Sequence, residues 1–412
     1  MPLPALRSKP ATSGVRECTG RRVLTFHCSI EARCPGVPTP ATWGDRFPAR
    51  VCAGGCGSSA VAAGRTRAVF YNRTKRRGGS ILGRGVPRVV VTGGRGFIGS
   101  HIAERFSAEG FQVMTLDIES GTEARLSPGR PAEDADRRVV ADVTSAEAAR
   151  EVVRFRPDLV VHAAAQTRTG GSITDPVGDA RTNIVGTLRM LEAARSTGTR
   201  AFIFISSAAI YGEPSVLPLT EDAPHRPLSP YGVSKLAATD YVSYYRRAGL
   251  LPALSLVPAN VYGPGQQARE DGAVVPGFMR QALRGEPMTI EGDGSQTRDF
   301  IYMEDVLEAV WLAWRWLSEG GGRAAGAPVA FNIGTGKETS ISRLADLVEK
   351  TIGRQLGRVY RPARGGDISR SSLSPRLAAR HLGWSPRVDL EEGLRRTYEW
   401  WAASIPGSAE RA

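Results

Sequence analysis

The sequence predicts an α/β protein: a doubly wound parallel sheet, then a smaller α+β C-terminal portion, all preceded by a disordered extension. Three observations carry this prediction. An apolar run of strand type, Val89-Val90-Val91, meets glycines spaced G-x-x-G-x-x-G at Gly93, Gly96 and Gly99, and a helical pattern follows. From there to about residue 265, short apolar runs alternate with helical periodicity, as a parallel sheet requires. Beyond residue 265 the alternation stops.

Bulk properties narrow the function. The chain has 412 residues, 41% hydrophobic and 23% charged, an ordinary globular composition. It has no apolar run of transmembrane length, so no membrane partner is expected, and a cytoplasmic location is. A net charge of +13 suggests nucleic acid, but 15 of the 54 Lys/Arg and only 3 of the 41 Asp/Glu lie in residues 1–84. The rest is nearly neutral, and no nucleic-acid partner is expected for the folded body. All five cysteines (Cys18, Cys28, Cys34, Cys52, Cys56) also precede residue 57, so the body uses neither disulfides nor cysteine ligands, and no metal is expected.

Residues 1–84 are rich in Arg, Gly, Pro, Ser and Ala and lack sustained periodicity, which reads as a disordered basic extension. A zinc site at Cys52-x-x-x-Cys56 with His27 or Cys28 lacks regular ligand spacing. A transit peptide, Arg-rich and acid-poor, and a nucleic-acid arm around Arg73-Thr74-Lys75-Arg76-Arg77 are the other readings. The expectation is an upstream extension that adds little to the chemistry, of the kind a misassigned start codon in GC-rich DNA would append.

The elements then follow in order. Arg88–Thr92 is the first strand, and the glycines form a tight turn into a helix over residues 101–109. The first glycine allows the turn, the second lets backbone approach a diphosphate and the third lets helix pack on strand; the helix N-terminus favours the anion. A Gly-rich connector has the same spacing, so the downstream residues must decide. A second strand, 111–116, closes on Asp117, 24 residues after Gly93, the interval expected of a carboxylate on the adenosine ribose. Such a carboxylate favours NAD over NADP, because it would repel a 2′-phosphate. A third strand, 138–141, ends at Asp142-Val143, a candidate adenine contact. The next strand exits through His162-Ala163-Ala164-Ala165-Gln166, where small residues let a ligand lie close; His162 reads as a buried structural histidine. Asn183 heads a helix over 184–194. Strand 201–205 exits into Ser206-Ser207, at the carboxyl end where open α/β sheets place chemistry. Tyr231 and Lys235, four apart, share a helix face. An ammonium there would lower the phenol from about 10 towards neutral, where it can act as a base.

These motifs, with Asp175-Pro176, Asn260-Val261-Tyr262-Gly263-Pro264, Arg298-Asp299-Phe300-Ile301-Tyr302 and Asn332-Ile333-Gly334-Thr335-Gly336, resemble the extended short-chain dehydrogenase/reductase family, and within it the nucleotide-sugar epimerases. The likeness spans about residues 88–402. It implies a Rossmann-type fold and a bound NAD held by Gly93, Gly96, Phe97, Ile98, Gly99, Asp117, Ile118, Asp142, Val143, Ala163, Ala164, Ala165, Asn183, Ser206, Tyr231 and Lys235. It also implies inversion of C4 of a UDP-hexose, of UDP-glucose/UDP-galactose type, through a transient 4-keto sugar. Tyr231 would take the 4-hydroxyl proton, Ser207 would relay it, and Lys235 would tune Tyr231. The UDP-sugar would be bound by Gln166, Ser207, Asn260, Arg298, Arg364 and Asp367, the arginines gripping the diphosphate. A homodimer is implied as well. Related 4,6-dehydratases carry an acidic pair after the serine or threonine; here Ala208 and Ala209 stand there, which argues against dehydration. Ala209 replaces a usual threonine, and the 166–172 loop departs from the family pattern, so the hexose is left open. A UDP-glucuronate 4-epimerase or decarboxylase is the alternative enzyme, and a non-catalytic NAD-sensing protein the alternative of another class.

The expected division is a basic extension over 1–84, an NAD-binding domain over 85–265 with returning segments near 298–335, and a substrate domain over 266–405. In that last part, helices are expected at 274–283, 305–317, 341–351 and 390–402, with Trp311, Trp314 and Trp316 as packing residues.

Overall fold

The computed structural model describes residues 85–118, 137–268, 273–324, 326–363 and 367–404. The expected extension and Arg364 lie outside the described residues. In chain order the elements are β1 (Arg88–Thr92), α1 (Phe97–Ala108), β2 (Gln112–Asp117), β3 (Arg137–Val140), α2 (Ala146–Phe155), β4 (Leu159–His162), α3 (Thr169–Thr174), α4 (Pro176–Ala180), a π-helical turn (Arg181–Val185), α5 (Gly186–Ser196), β5 (Ala201–Ile205), α6 (Pro230–Arg247) and β6 (Ala253–Pro258). There follow β7 (Asn260–Tyr262), α7 (Val274–Arg284), β8 (Met288–Glu291), β9 (Thr297–Arg298), β10 (Phe300–Tyr302), α8 (Met303–Ser318), β11 (Ala330–Ile333), β12 (Thr339–Ser340), α9 (Ile341–Ile352), β13 (Arg358–Arg361), α10 (Arg376–Leu382) and α11 (Leu390–Ser404).

Seven strands form one parallel sheet in the order β11-β6-β5-β4-β1-β2-β3. Alternate residues feed opposite layers: Val89, Val91, Ile203 and Ile205 join one buried cluster, and Val90, Phe202 and Phe204 the other. Burial on both faces explains why these strands read as continuous apolar runs. This is the doubly wound, Rossmann-type sheet that the βα alternation implied.

Later elements build small two-stranded sheets (β10 with β7, β12 with β9, β13 with β8) around a third cluster that includes Phe278, Met288, Ile290, Leu344 and Leu394. The chain rejoins the main sheet at β11, beside β6. Phe300 and Tyr302 join the third cluster while Ile301 joins the first, so β10 faces both cores. The tryptophans pack as expected: Trp311 and Trp314 against Phe111, and Trp316 against Phe331. No described helix is long and apolar enough to cross a membrane.

Candidate active site

Strand order reverses between β1 and β4, which makes the crevice at their carboxyl ends the place where such sheets take ligands. The glycines close it tightly. Gly93 has φ +67°, and a Cβ there would lie 2.8 Å from the Ala164 nitrogen and 2.9 Å from the Ala163 carbonyl carbon. A Cβ on Gly99 would lie 2.1 Å from the Gly93 oxygen, so α1 rests directly on the turn. Gly94, which the spacing rule did not single out, approaches Thr115 so closely that a Cβ would be 2.6 Å from it. Gly96 begins α1 without a side-chain cap, so no side chain competes for the first-turn N–H groups at Phe97 and Ile98. A diphosphate fits such an end. Beside it, Asp117 Oδ2 accepts from Arg95 N at 2.9 Å and Oδ1 from Ile118 N at 2.8 Å. The carboxylate braces the turn and sits at the strand end where a ribose would lie. Asp142 is exposed and closes a local turn by accepting from Thr144 N at 2.7 Å, while buried Val143 packs against Gly186 of α5.

His162 is fully buried, and its ring is held from both sides. Its Nδ1 lies 2.7 Å from Thr92 Oγ1 and its Nε2 3.1 Å from Thr187 Oγ1. Because Thr187 donates to Asn183 O and Thr92 accepts from Ala164 N, the consistent tautomer has Nδ1 accepting and Nε2–H donating. Burial, with the Lys235 charge adding to it, pushes this histidine down to about 3. It is neutral framework tying β1, β4 and α5 together.

Ser207 caps the 3₁₀ turn Ala208–Ile210 after β5, accepting from Ala209 N at 3.2 Å. Ser229 caps α6, accepting from Gly232 N at 3.2 Å, and so presents Tyr231 and Lys235 from the first turns of that helix. Burial raises the Tyr231 phenol above its ordinary value, with the Asp179 charge adding to it, and outweighs the neighbouring Ser207 hydroxyl, which holds it down. This corrects the expected lowering by Lys235. The Lys235 Nζ donates instead to Ile205 O at 2.5 Å and lies 4.2 Å from the centre of the Phe204 ring. Burial brings its own ammonium down to about 7. Ser206 turns its hydroxyl to Thr239, 2.7 Å away on α6, and so acts within the framework.

Asn183 does not head a helix as expected. It is buried inside the π-helical turn, an insertion common at functional sites. From there its Nδ2 donates to Gln166 O at 3.1 Å, Asp179 Oδ1 at 3.1 Å and Ser234 Oγ at 3.0 Å, and its Oδ1 accepts from Gln166 N at 2.9 Å. The 166–172 stretch is partly helical: Ser172, in α3, is buried and accepts from Tyr231 N at 3.1 Å. Sequence reasoning missed Ser172, Asp179 and Gly232 as members of this site. Asp179 did carry a legible signal, standing four residues before Asn183 on the same helical face.

On the other side, Asn260 N donates to Asp299 O at 2.9 Å, and Asp299 accepts from Thr335 N, Gly336 N and Leu373 N, each within 3.1 Å. Arg298, next to this buried anchor, is ion-paired with Asp367 and donates to Thr297 O at 2.7 Å. The structure thus gathers Asn260, Arg298 and Asp367 in one place, and Gln166, Asn183, Tyr231 and Lys235 in another.

Known proteins resemble this chain over most of its length. Residues 89–334 match the family described as the NAD dependent epimerase/dehydratase family. A UDP-glucose 4-epimerase of Mycolicibacterium smegmatis is 38% identical over 76% of this chain and 98% of its own length. A UDP-glucuronic acid decarboxylase of Arabidopsis thaliana is 32% identical over 79% of this chain and 71% of its own length. Among solved structures, the UDP-glucose 4-epimerase of Thermotoga maritima with UDP-glucose superposes with TM-score 0.69 at 36% identity, covering 76% of this chain and 98% of that one. The UDP-glucose 4-epimerase of Thermus thermophilus with NAD gives TM-score 0.68 at 36% identity, covering 77% of this chain and 100% of that one.

Proposed function

We propose a function within the family to which this chain belongs, the NAD dependent epimerase/dehydratase family: it inverts C4 of a UDP-hexose through a transient 4-keto sugar. Its cofactor is NAD. We assign it to the crevice between β1 and β4, on the turn glycines, the α1 N-terminus and Asp117. When bound, NAD supplies hydride acceptance and return at the sugar carbon. In this reading Tyr231 takes the 4-hydroxyl proton and gives it back, with Ser207 relaying it. Lys235 supplies positive charge beneath the reacting centre. Arg298 and Arg364 grip the diphosphate, with Asn260, Gln166 and Asp367 on the rest of the nucleotide sugar. The observation that carries the reading is the Ser207 hydroxyl beside the Tyr231 phenol at the end of β5, with Lys235 buried below it and only alanines at 208 and 209. Alanine transfers no proton, so the elimination that a 4,6-dehydratase performs has no base or acid there.

The assay is product identification with UDP-glucose, UDP-N-acetylglucosamine, UDP-glucuronate and dTDP-glucose. A C4 epimer formed without added NAD supports the proposal. A pentose product would instead place the chain with the decarboxylases, and a 4-keto-6-deoxy sugar with the dehydratases. Unchanged biological activity in Tyr231→Phe would favour an NAD sensor. We further propose a cytoplasmic homodimer. Val233, Tyr241 and Tyr244 fall on one exposed face of α6, and Val177 and Val185 are exposed on α4 and the π-helical turn, both packed on α6. Light scattering after size exclusion tests it.

A further inference from the structure

The buried carboxylate of Asp179 takes no part in the roles above. Asp179, on α4, is 1% exposed. Its Oδ1 accepts from Asn183 Nδ2 at 3.1 Å and from Gln166 Nε2 at 3.4 Å. Its Oδ2 is buried with no hydrogen-bond partner among the described residues. A bare carboxylate oxygen away from water is costly unless a nearby cation offsets it. Helix α4 packs on α6, and the buried cation of α6 is Lys235. Lys235 has the complementary deficit: it is 2% exposed and donates to one uncharged acceptor, Ile205 O.

We propose that Asp179 is the buried counter-charge of Lys235 and, through Lys235, a positioning residue for the chemistry at Tyr231. The second half of this statement rests on the roles given above to Tyr231 and Lys235; the pairing of charges does not. Burial alone drives Lys235 towards neutrality, and the Asp179 carboxylate is what favours its charged form. The same carboxylate disfavours the Tyr231 phenolate. Asp179 therefore keeps protons on both partners, and its removal should release both at lower pH. The groups acting on Asp179 are few. Its own burial, and Asp175 at the N-terminus of α4, raise it; Ser234 and Lys235 across the helix contact hold it down. Arg168, Arg181 and Arg189, the nearest arginines in sequence, are exposed. His162, the remaining ionisable group near Lys235, stays neutral.

The test uses the full chain, which has only five lysines: Lys9, Lys75, Lys235, Lys337 and Lys350. Incorporation of [ε-13C]lysine gives few enough signals to titrate each by NMR, and Lys235→Met identifies the one that matters. Asp179→Asn is near-isosteric. Its oxygen can still accept from Asn183 and Gln166, and its amide takes the place of the bare Oδ2. In this variant the Lys235 midpoint should fall by about one pH unit or more, while Asp179→Glu should stay near wild type. The other four lysines should not move. Asp179→Ser is the second neutral variant should the amide fail to fold. The wild type also gives a reading by itself: the Lys235 signal should show a second, acid-side step as Asp179 takes up its proton. An unmoved Lys235 midpoint in a folded neutral variant, or no acid-side step in the wild type, overturns the proposal. With a UDP-sugar that turns over, the alkaline limb of kcat should follow the NMR midpoint. A shifted midpoint without any turnover would sink the enzymatic reading and leave the charge pair standing.

Discussion

Gly232→Ala separates positioning from stability at this site. Gly232 lies in the first turn of α6, next to Tyr231, with a helical backbone that any residue can adopt. An added Cβ would nonetheless lie 2.6 Å from the Ala209 carbonyl oxygen and 2.8 Å from Pro227 Cβ. Ordinary carbon–oxygen contacts begin at about 3.3 Å, so the start of α6 must draw back from the 3₁₀ turn by about 0.7 Å. Ser207 caps that turn and Tyr231 leads into Gly232, so the retreat draws the Tyr231 phenol away from the Ser207 hydroxyl. Overpacking of this kind costs about 1–3 kcal/mol, and alanine returns up to ~1 kcal/mol through helix preference. The net loss of stability is then between about zero and 3 kcal/mol. Turnover should suffer more: misplacement near 1 Å costs on the order of 100-fold, so kcat should fall by about 10- to 100-fold. KM and NAD affinity should stay near wild type, since neither the glycine turn nor Arg298 is touched. The measurements are steady-state kinetics, NAD binding and thermal denaturation on the same preparation. A kcat within twofold of wild type, or a loss that merely tracks unfolding, would refute the idea that the contact of α6 with residue 209 sets the distance.

The fold was legible because it is written in local patterns. The core strands of a parallel sheet are apolar on both faces, and 201–205 in particular coincides with β5. Helix α1 begins four residues earlier than its periodicity suggests, at Phe97, because Gly96 starts it without a polar cap to mark the boundary. The glycine turn and the Tyr231/Lys235 pair stand out by spacing, and the structure supplies the reason for Gly93 and Gly99 as a contact the Cβ would violate. What spacing could not give was contact between distant segments. Ser172 reaches Tyr231 N across 59 residues, and Asn183 reaches Ser234 across 51. Nor could it give the balance of fields. A lysine four residues from a tyrosine implies a lowered phenol only if the ammonium points at it, and here Lys235 points at Ile205 O. The electrostatics depend on Asp179, which no motif flagged.

Further outcomes follow from the same geometry. Tyr231→Phe should lower turnover by about 10²- to 10⁴-fold while NAD binding stays within a few-fold; comparable losses in both would point to misfolding instead. In Gly99→Ala the new methyl meets the Gly93 oxygen at 2.1 Å, so NAD affinity should collapse, with a stability loss of about 1–3 kcal/mol; unaltered NAD binding would show that the turn can move. Lys235→Met should change how stability depends on pH, and the sign is fixed by where each state holds its proton. In the folded protein burial brings Lys235 from 10.5 to about 7. Below pH 7 both states are protonated and Lys235 adds no slope. Between about 7 and 10.5 the unfolded chain still holds the proton that the folded state has lost, so stability rises with pH. Methionine takes no proton, so the rise attributable to residue 235 should vanish. Denaturant unfolding of both proteins at several pH values from 7 to about 9.5 isolates it, because every other group is common to the pair. Equal slopes would mean that Lys235 titrates at its ordinary value and that burial does not displace its proton. If the slopes differ as expected, the protein is most stable where its ammonium is absent, so a buried charge serving the chemistry proposed at Tyr231 is held against stability.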